Sequence, residues 1–191
     1  MRKGMGMMIL CMMMLFFLIA CSKSEQINEG VANKNIEDLT TTAEVIEGDF
    51  IYRLVSEEAQ YSEDDMVDVY AELEYIGELD EVTISHAASP FYFPMVEETR
   101  DYKIDYAMNE PLLYSTLIKG QPLRKAFTGG GGYGGDDPRE YQNFMRAIMN
   151  QEFPIGSYIM DGFAQFQIVD VETSEPVENF ELQARIEFIV K

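Results

Sequence analysis

"MVDVYAELEY" (Met66–Tyr75) reads as a strand with one buried face. Val67, Val69, Ala71, Leu73 and Tyr75 fall at every second position, and Asp68, Glu72 and Glu74 lie between them. A side-chain period of two places the first set on one face and the second on the other. The same alternation appears on either side. "DFIYRLVS" (Asp49–Ser56) sets Phe50, Tyr52 and Leu54 on one face, with Ile51 and Val55 on the other. "EVTISH" (Glu81–His86) carries Val82 and Ile84. "YKIDY" (Tyr102–Tyr106) and "LLYSTLI" (Leu112–Ile118) are shorter candidates. "SYIMDGFAQFQIV" (Ser157–Val169) and "NFELQARIEFIV" (Asn179–Val190) are long. In the last, Phe180, Leu182, Ala184, Ile186, Phe188 and Val190 share a face.

Turn residues separate these runs at Ile76–Asp80, Lys119–Pro122, Pro154–Gly156 and Ser174–Pro176. About seven punctuated strands predict a mainly β fold, an antiparallel immunoglobulin-like β-sandwich. The chain has no Trp, so the Cys–Trp–Cys signature of true immunoglobulin domains is absent. One segment breaks the pattern. "DPREYQNFMRAIMN" (Asp137–Asn150) predicts an inserted helix at about 137–150. Asp137 suits its N-cap, Pro138 its first position, and Glu140 a capping box. Tyr141, Phe144, Met145 and Ile148 form one apolar stripe, expected to lie on a sheet or over an open end.

The ends differ from this body. The 191 residues hold 14 Lys plus Arg against 34 Asp plus Glu, a formal charge of -20. Such a balance argues against nucleic acid and anionic membrane surfaces as partners. It leaves cationic ligands, metal ions and basic proteins. Residues 1–20 have a basic start, Arg2 and Lys3, then an apolar run ending at Ala20. That is the layout of a secretory signal. Residues 21–47 are polar and lack sustained periodicity, which predicts an acidic flexible tether with an end-to-end distance of roughly 25–30 Å. Residues 48–191 form the predicted domain. With Cys11 in the signal, Cys21 is the one thiol left, so no disulfide and no cysteine metal site are expected.

"LIAC" (Leu18–Cys21) resembles the lipobox of bacterial lipoproteins. The resemblance implies lipid attachment at Cys21, with Leu18, Ile19 and Ala20 read by the signal peptidase. It places the protein on the outer face of the cytoplasmic membrane. Together with "FIYRLVSE", "VDVYAELEYIG", "HAASPFYFP" and "IMDGFAQF", it resembles a group of small lipoproteins of Gram-positive bacteria, over most of residues 48–190. That group implies an address and a fold rather than an activity. A fainter likeness, in strand order alone, is to the immunoglobulin-like domain of an intracellular bacterial proteinase inhibitor. A lipid-anchored location departs from it.

Candidate chemistry is sparse. His86 is the only histidine, with Ser85 and Ser89 nearby, but no nucleophile elbow is present. A strand-end or core histidine is the plainer reading. Carboxylates cluster at Ser62–Asp65, Glu78–Glu81 and Asp136–Asp137. None matches the spaced calcium loop, so solvated charge is expected, with a weak loop calcium site as the alternative. "SPFYFP" (Ser89–Pro94) offers Phe91, Tyr92 and Phe93 either as core or as a platform for a sugar or peptide.

"GGGGYGG" (Gly129–Gly135) fits the dinucleotide template by letters. It lies late in an antiparallel chain, and Asp136 and Asp137 already occupy the positive end of the following helix. A flexible loop is expected, with Tyr133 as its contact-capable side chain. The functional expectation is a lipid-anchored, extracytoplasmic binding or envelope-associated module, non-enzymatic and without cofactor. Its partner would be an envelope protein or wall component. The alternative is an inhibitor of an extracellular protease acting through a sandwich-end loop.

Overall fold

The computed structural model describes residue 31 and residues 34–170, 172, 173 and 175–191. Its spine is an antiparallel hairpin of two long strands, β11 (Gly156–Val169) and β12 (Pro176–Val190). Along β12 the six apolar residues from Phe180 to Val190 that share a face are all buried, as their spacing predicts. The free edge of β11 is long enough to take three partners in succession. These are β7 (Met95–Glu97), β6 (Phe91–Tyr92) and β5 (Glu81–His86). Outside them lie β8 (Tyr102–Ile104) on β7 and β9 (Leu113–Ile118) on β5. The two-residue β3 (Gln60–Tyr61) pairs with β12 in parallel.

A second, four-stranded sheet has the order β1 (Thr42–Glu47), β2 (Phe50–Ser56), β4 (Val69–Tyr75), β10 (Leu123–Ala126). The alternation in β2 and β4 is realised residue by residue. Phe50, Tyr52 and Leu54 are buried, as are Val69, Ala71, Leu73 and Tyr75. Their shared face meets the inner face of the large sheet. The Phe50 ring lies edge-on to Phe166 (4.8 Å) and Phe180 (4.9 Å). Mid-way along β11, Gly162 sits directly under β2. A Cβ there would lie 2.8 Å from a Leu54 methyl and 2.9 Å from the Tyr52 hydroxyl. The glycine is therefore what lets the sheets close. Tyr52 is fully buried, its hydroxyl makes no hydrogen bond among the described residues, and burial pushes its pKa well up.

The α-helix α1 (Arg139–Met149) lies between β10 and β11. Phe144, Met145 and Ile148 of its stripe are buried, with Phe144 edge-on to Tyr102 of β8. Its start differs from the expectation. The helix begins after Pro138 without a side-chain cap, because the Asp137 carboxylate accepts from Gly134 N–H (2.6 Å) instead.

The tether expectation fails over its last part. Thr42–Glu47 forms β1, paired along its length with β2 across a two-residue turn where Gly48 takes φ +54°. Val31 is buried, and Lys34 Nζ donates to Glu98 Oε2 (2.6 Å) and Ser157 Oγ (2.7 Å). The ordered body thus starts well before residue 48.

Among the described residues, buried charge is confined to one satisfied knot. Glu97 is fully buried and accepts from Thr99 N–H (2.9 Å), the Thr99 hydroxyl, and Arg100 N–H and guanidinium (both 3.0 Å). The guanidinium also donates to Ile155 O (3.0 Å) and stands 5.3 Å above the Phe144 ring. The knot joins β7, β11 and α1.

Gly162→Ala is expected to lower stability by about 1–3 kcal/mol in denaturant unfolding, since the new methyl meets packed side chains. Tyr52→Phe is expected to leave stability unchanged or raise it, because a hydroxyl buried without a partner costs free energy. Loss of stability in Tyr52→Phe would mean that the hydroxyl is paired. Acid has a separate, local effect. Burial opposes the Glu98 carboxylate, but hydrogen bonds from Lys34 and Ser157 outweigh it and hold its pKa below the usual range. A depressed carboxylate pKa contributes stability above its unfolded value and loses it as pH falls through the folded one. Amide protection at residues 34–40, relative to the intrinsic exchange rate, is therefore expected to fall below about pH 4, ahead of the core.

Candidate functional site

The alternation that buries one face of β11 and β12 leaves polar side chains on the other. Near the hairpin end these line a cleft of about 550 Å³. Gln165 and Gln167 come from β11, Asn179 and Glu181 from β12, and Ser85 and His86 from the end of β5. Tyr92 and the segment Glu110–Leu112, which leads into β9, also line it.

The floor is ordered by hydrogen bonds. Ser85 Oγ donates to Gln167 Oε1 (3.4 Å), and Gln167 Nε2 donates to Asn179 Oδ1 (2.6 Å). The Gln165 side chain makes no hydrogen bond among the described residues, so its amide is available to a ligand. Tyr92 stacks on Phe163, with ring centres 4.6 Å apart and planes 6° from parallel. Burial raises the Tyr92 pKa, and the negative charge of Glu110 adds to the shift. Glu110 and Glu181 are the charged residues of the lining, and no Lys or Arg joins them. The field in the cleft is negative. It suits a neutral polar group or a cation and repels an anion.

His86 sits where the sequence suggests, at a strand end. Its Nδ1 lies 2.8 Å from Ala87 O, and its Nε2 lies 2.8 Å from Ser115 Oγ. A carbonyl oxygen can only accept, so the proton is on Nδ1 and Nε2 accepts from the serine. The structure brings His86 together with Ser115 rather than with Ser89. The pair has the order of a nucleophile and its base. A neutral backbone carbonyl stands where a triad has its carboxylate. Ser115 lies within β9, on no strained turn, and does not line the cleft. The contact ties β5 to β9.

In "SPFYFP", Phe91 and Phe93 are core residues and Tyr92 is the one that reaches the cleft. Two of the three carboxylate clusters each tie one carboxylate to their own backbone or the loop before them. Asp65 Oδ2 accepts from Ser62 N–H (2.8 Å), and Asp137 from Gly134 N–H. Among the described residues no three His, Cys, Asp or Glu side chains form a metal-ligand group.

The glycine loop is only half open. Gly129 (φ +105°) and Gly131 (φ +80°) have conformations that favour glycine, and a Cβ on them would meet Met149 O at 2.7 Å and Met145 Sδ at 3.0 Å. Gly131 N–H donates to Asp105 O (2.7 Å). These residues pack the loop on α1. Gly132, Gly134 and Gly135 face space or their own aspartate. Tyr133 is 40% exposed, accepts from Arg146 Nη2 (3.3 Å) and lies under the same guanidinium. It is a surface tyrosine held on the helix, remote in sequence from every residue of the cleft.

Leu18, Ile19, Ala20 and Cys21 lie outside the described residues. Among the described residues, no helix is long and apolar enough to cross a membrane. No family model, curated protein or solved structure matches the chain. The amides Gln165, Gln167 and Asn179 were not singled out by sequence. Polar residues alternating with apolar ones read as a solvated strand face, and only the neighbouring Tyr92 and His86 carried a separate signal.

Proposed function

We propose that this protein is a lipid-anchored, extracytoplasmic, non-enzymatic binding module. Its ligand site is the amide-floored cleft beside Tyr92. The observation that carries the reading is the lining itself. Oriented amides, a stacked aromatic and two carboxylates are present, while the one histidine is tied to a strand serine without an acid behind it. Such a surface can hold a ligand by hydrogen bonds and stacking. It has no poised nucleophile or oxyanion donor pair aimed at one point.

The ligand is neutral or cationic, an envelope protein or wall component bearing hydroxyl, amide or amine groups. The anchor rests on the lipobox likeness at Leu18–Cys21, and the outer face of the cytoplasmic membrane follows from it. Two facing sheets with antiparallel pairing support an immunoglobulin-like sandwich, enlarged here by the strands docked along β11. Protease inhibition through an end loop has less support, because Tyr133 is held against α1 by Arg146.

Cys21→Ser is expected to leave the protein unprocessed or to release it from membranes on fractionation; normally processed, membrane-bound Cys21→Ser protein would contradict the anchor. For the cleft, Gln167→Ala and Tyr92→Ala are expected to weaken capture of the chain on purified cell envelope by about tenfold, the scale of one lost stacking or buried hydrogen-bond contact. Undiminished capture with both variants folded would remove the cleft as the site.

A further inference from the structure

β9 is an edge strand of six residues, Leu113–Ile118, with no charged residue and no proline within it. Natural sheet edges are usually blunted by charge, proline or shortness, because unpaired N–H and C=O groups invite another strand. The other edges of this protein follow that rule. β1 carries Glu44 and Glu47, β10 carries Arg124 and Lys125, and β8 is three residues long with Lys103. β9 departs from it.

The orientation of its backbone is fixed. Lys119 N–H donates to Asp80 O (2.9 Å), which sets the alternation along the β5–β9 ladder. Leu113, Ser115 and Leu117 then bond to β5, while Tyr114 and Thr116 point N–H and C=O outward. Those outward groups make no hydrogen bond among the described residues. The side chains beside them are exposed as well: Leu112, Leu113, Tyr114 and Ile118 are among the most exposed large apolar residues.

The edge is continuous with the cleft. Glu110, Pro111 and Leu112 line the cleft and lead straight into β9, and Tyr114 pairs with the cleft residue Ser85. Charge selects the occupant. A second copy of this chain would bring a formal charge of -20 against -20. A basic segment would instead meet Glu110 and Glu181 with no Lys or Arg in the lining.

We propose that β9 takes up an extended basic peptide as an added strand, with lysine or arginine side chains reaching the cleft beside Glu110 and Glu181. Main-chain hydrogen bonds to Tyr114 and Thr116 supply affinity, and alternate side chains supply selectivity. The placement of the basic side chains rests on the cleft reading above; the strand pairing does not.

The test uses the full chain in detergent and a fluorescein-labelled probe, Lys-Val-Lys-Val-Thr-Val-Lys, followed by anisotropy. Binding is expected for this probe, with none for its Glu-for-Lys counterpart. Thr116→Pro removes one outward N–H, keeps the β5 ladder and changes no charge, so affinity is expected to fall about tenfold. Glu110→Gln is expected to weaken binding about two- to fivefold. A probe N-methylated at alternate residues, which needs no protein variant, is expected not to bind. Equal binding of the N-methylated probe, or undiminished binding by folded Thr116→Pro, would overturn strand addition. So would a dimer in sedimentation that Thr116→Pro dissolves, since the occupant would then be a second copy. Loss of probe binding in Gln167→Ala but not in Thr116→Pro would keep the cleft and reject the added strand. The reverse pattern would keep the added strand and reject the cleft.

Discussion

The close approach of the two sheets at Gly162 is the constraint on which the rest of the molecule depends. β2 can rest on β11 only where no side chain intervenes, and that point fixes the register of one sheet over the other. On both sides of it, large residues fill the gap: Tyr158, Phe153 and Phe188 toward one end, Phe50, Phe166 and Phe180 toward the other. The long β11–β12 hairpin spans both clusters. Because β11 outlasts any one partner, three separate strands dock along it, and the small sheet covers only part of the surface they create. The helix covers β8 at one end. The polar cleft and the bare β9 edge are what remains at the other.

Charge then decides what such a surface can be for. The chain is acidic overall, and several of its basic residues are paired within it. Lys34 is held by Glu98, Arg53 by Glu44 and Glu74, Arg100 by Glu97, and Arg185 by Asp161. Apart from the Glu97–Arg100 pair, whose carboxylate is buried, these pairs orient the surface more than they stabilise it, since exposed ion pairs contribute little. The unneutralised carboxylates, Glu110 and Glu181 among them, give the cleft its sign. A sheet edge without charge, beside a cleft with negative charge, is a recognition surface for something extended and basic.

Much of this fold was legible in sequence because a strand with one buried face writes its period in the residues. Asp49–Ser56, Met66–Tyr75 and Asn179–Val190 show it in full, and so does the helical stripe from Tyr141 to Ile148. The missed elements have physical reasons. In Thr42–Glu47 no residue is fully buried, so its alternation was weak and the strand was read as the end of a tether. β6, β7 and β10 are two to four residues long, too short for a period to register, and β6 sits between prolines. Asp137 carried the signature of a cap, but the flexible glycines before it offered a nearer N–H. Of the site, Tyr92 and His86 stood out by type. The Ser115 partner, the amide floor and the open edge are products of pairing between distant strands, which no local pattern encodes.

The central claim is that the fold leaves the outer edge of β9 unpaired beside its cleft. Residue-resolved amide hydrogen exchange on the unliganded chain tests it most directly. The account predicts alternation along one strand: slow exchange at Ser115 and Leu117, which bond to β5, and fast exchange at Tyr114 and Thr116, which face outward. Uniformly slow exchange across all four would contradict it, because the edge would then already be paired.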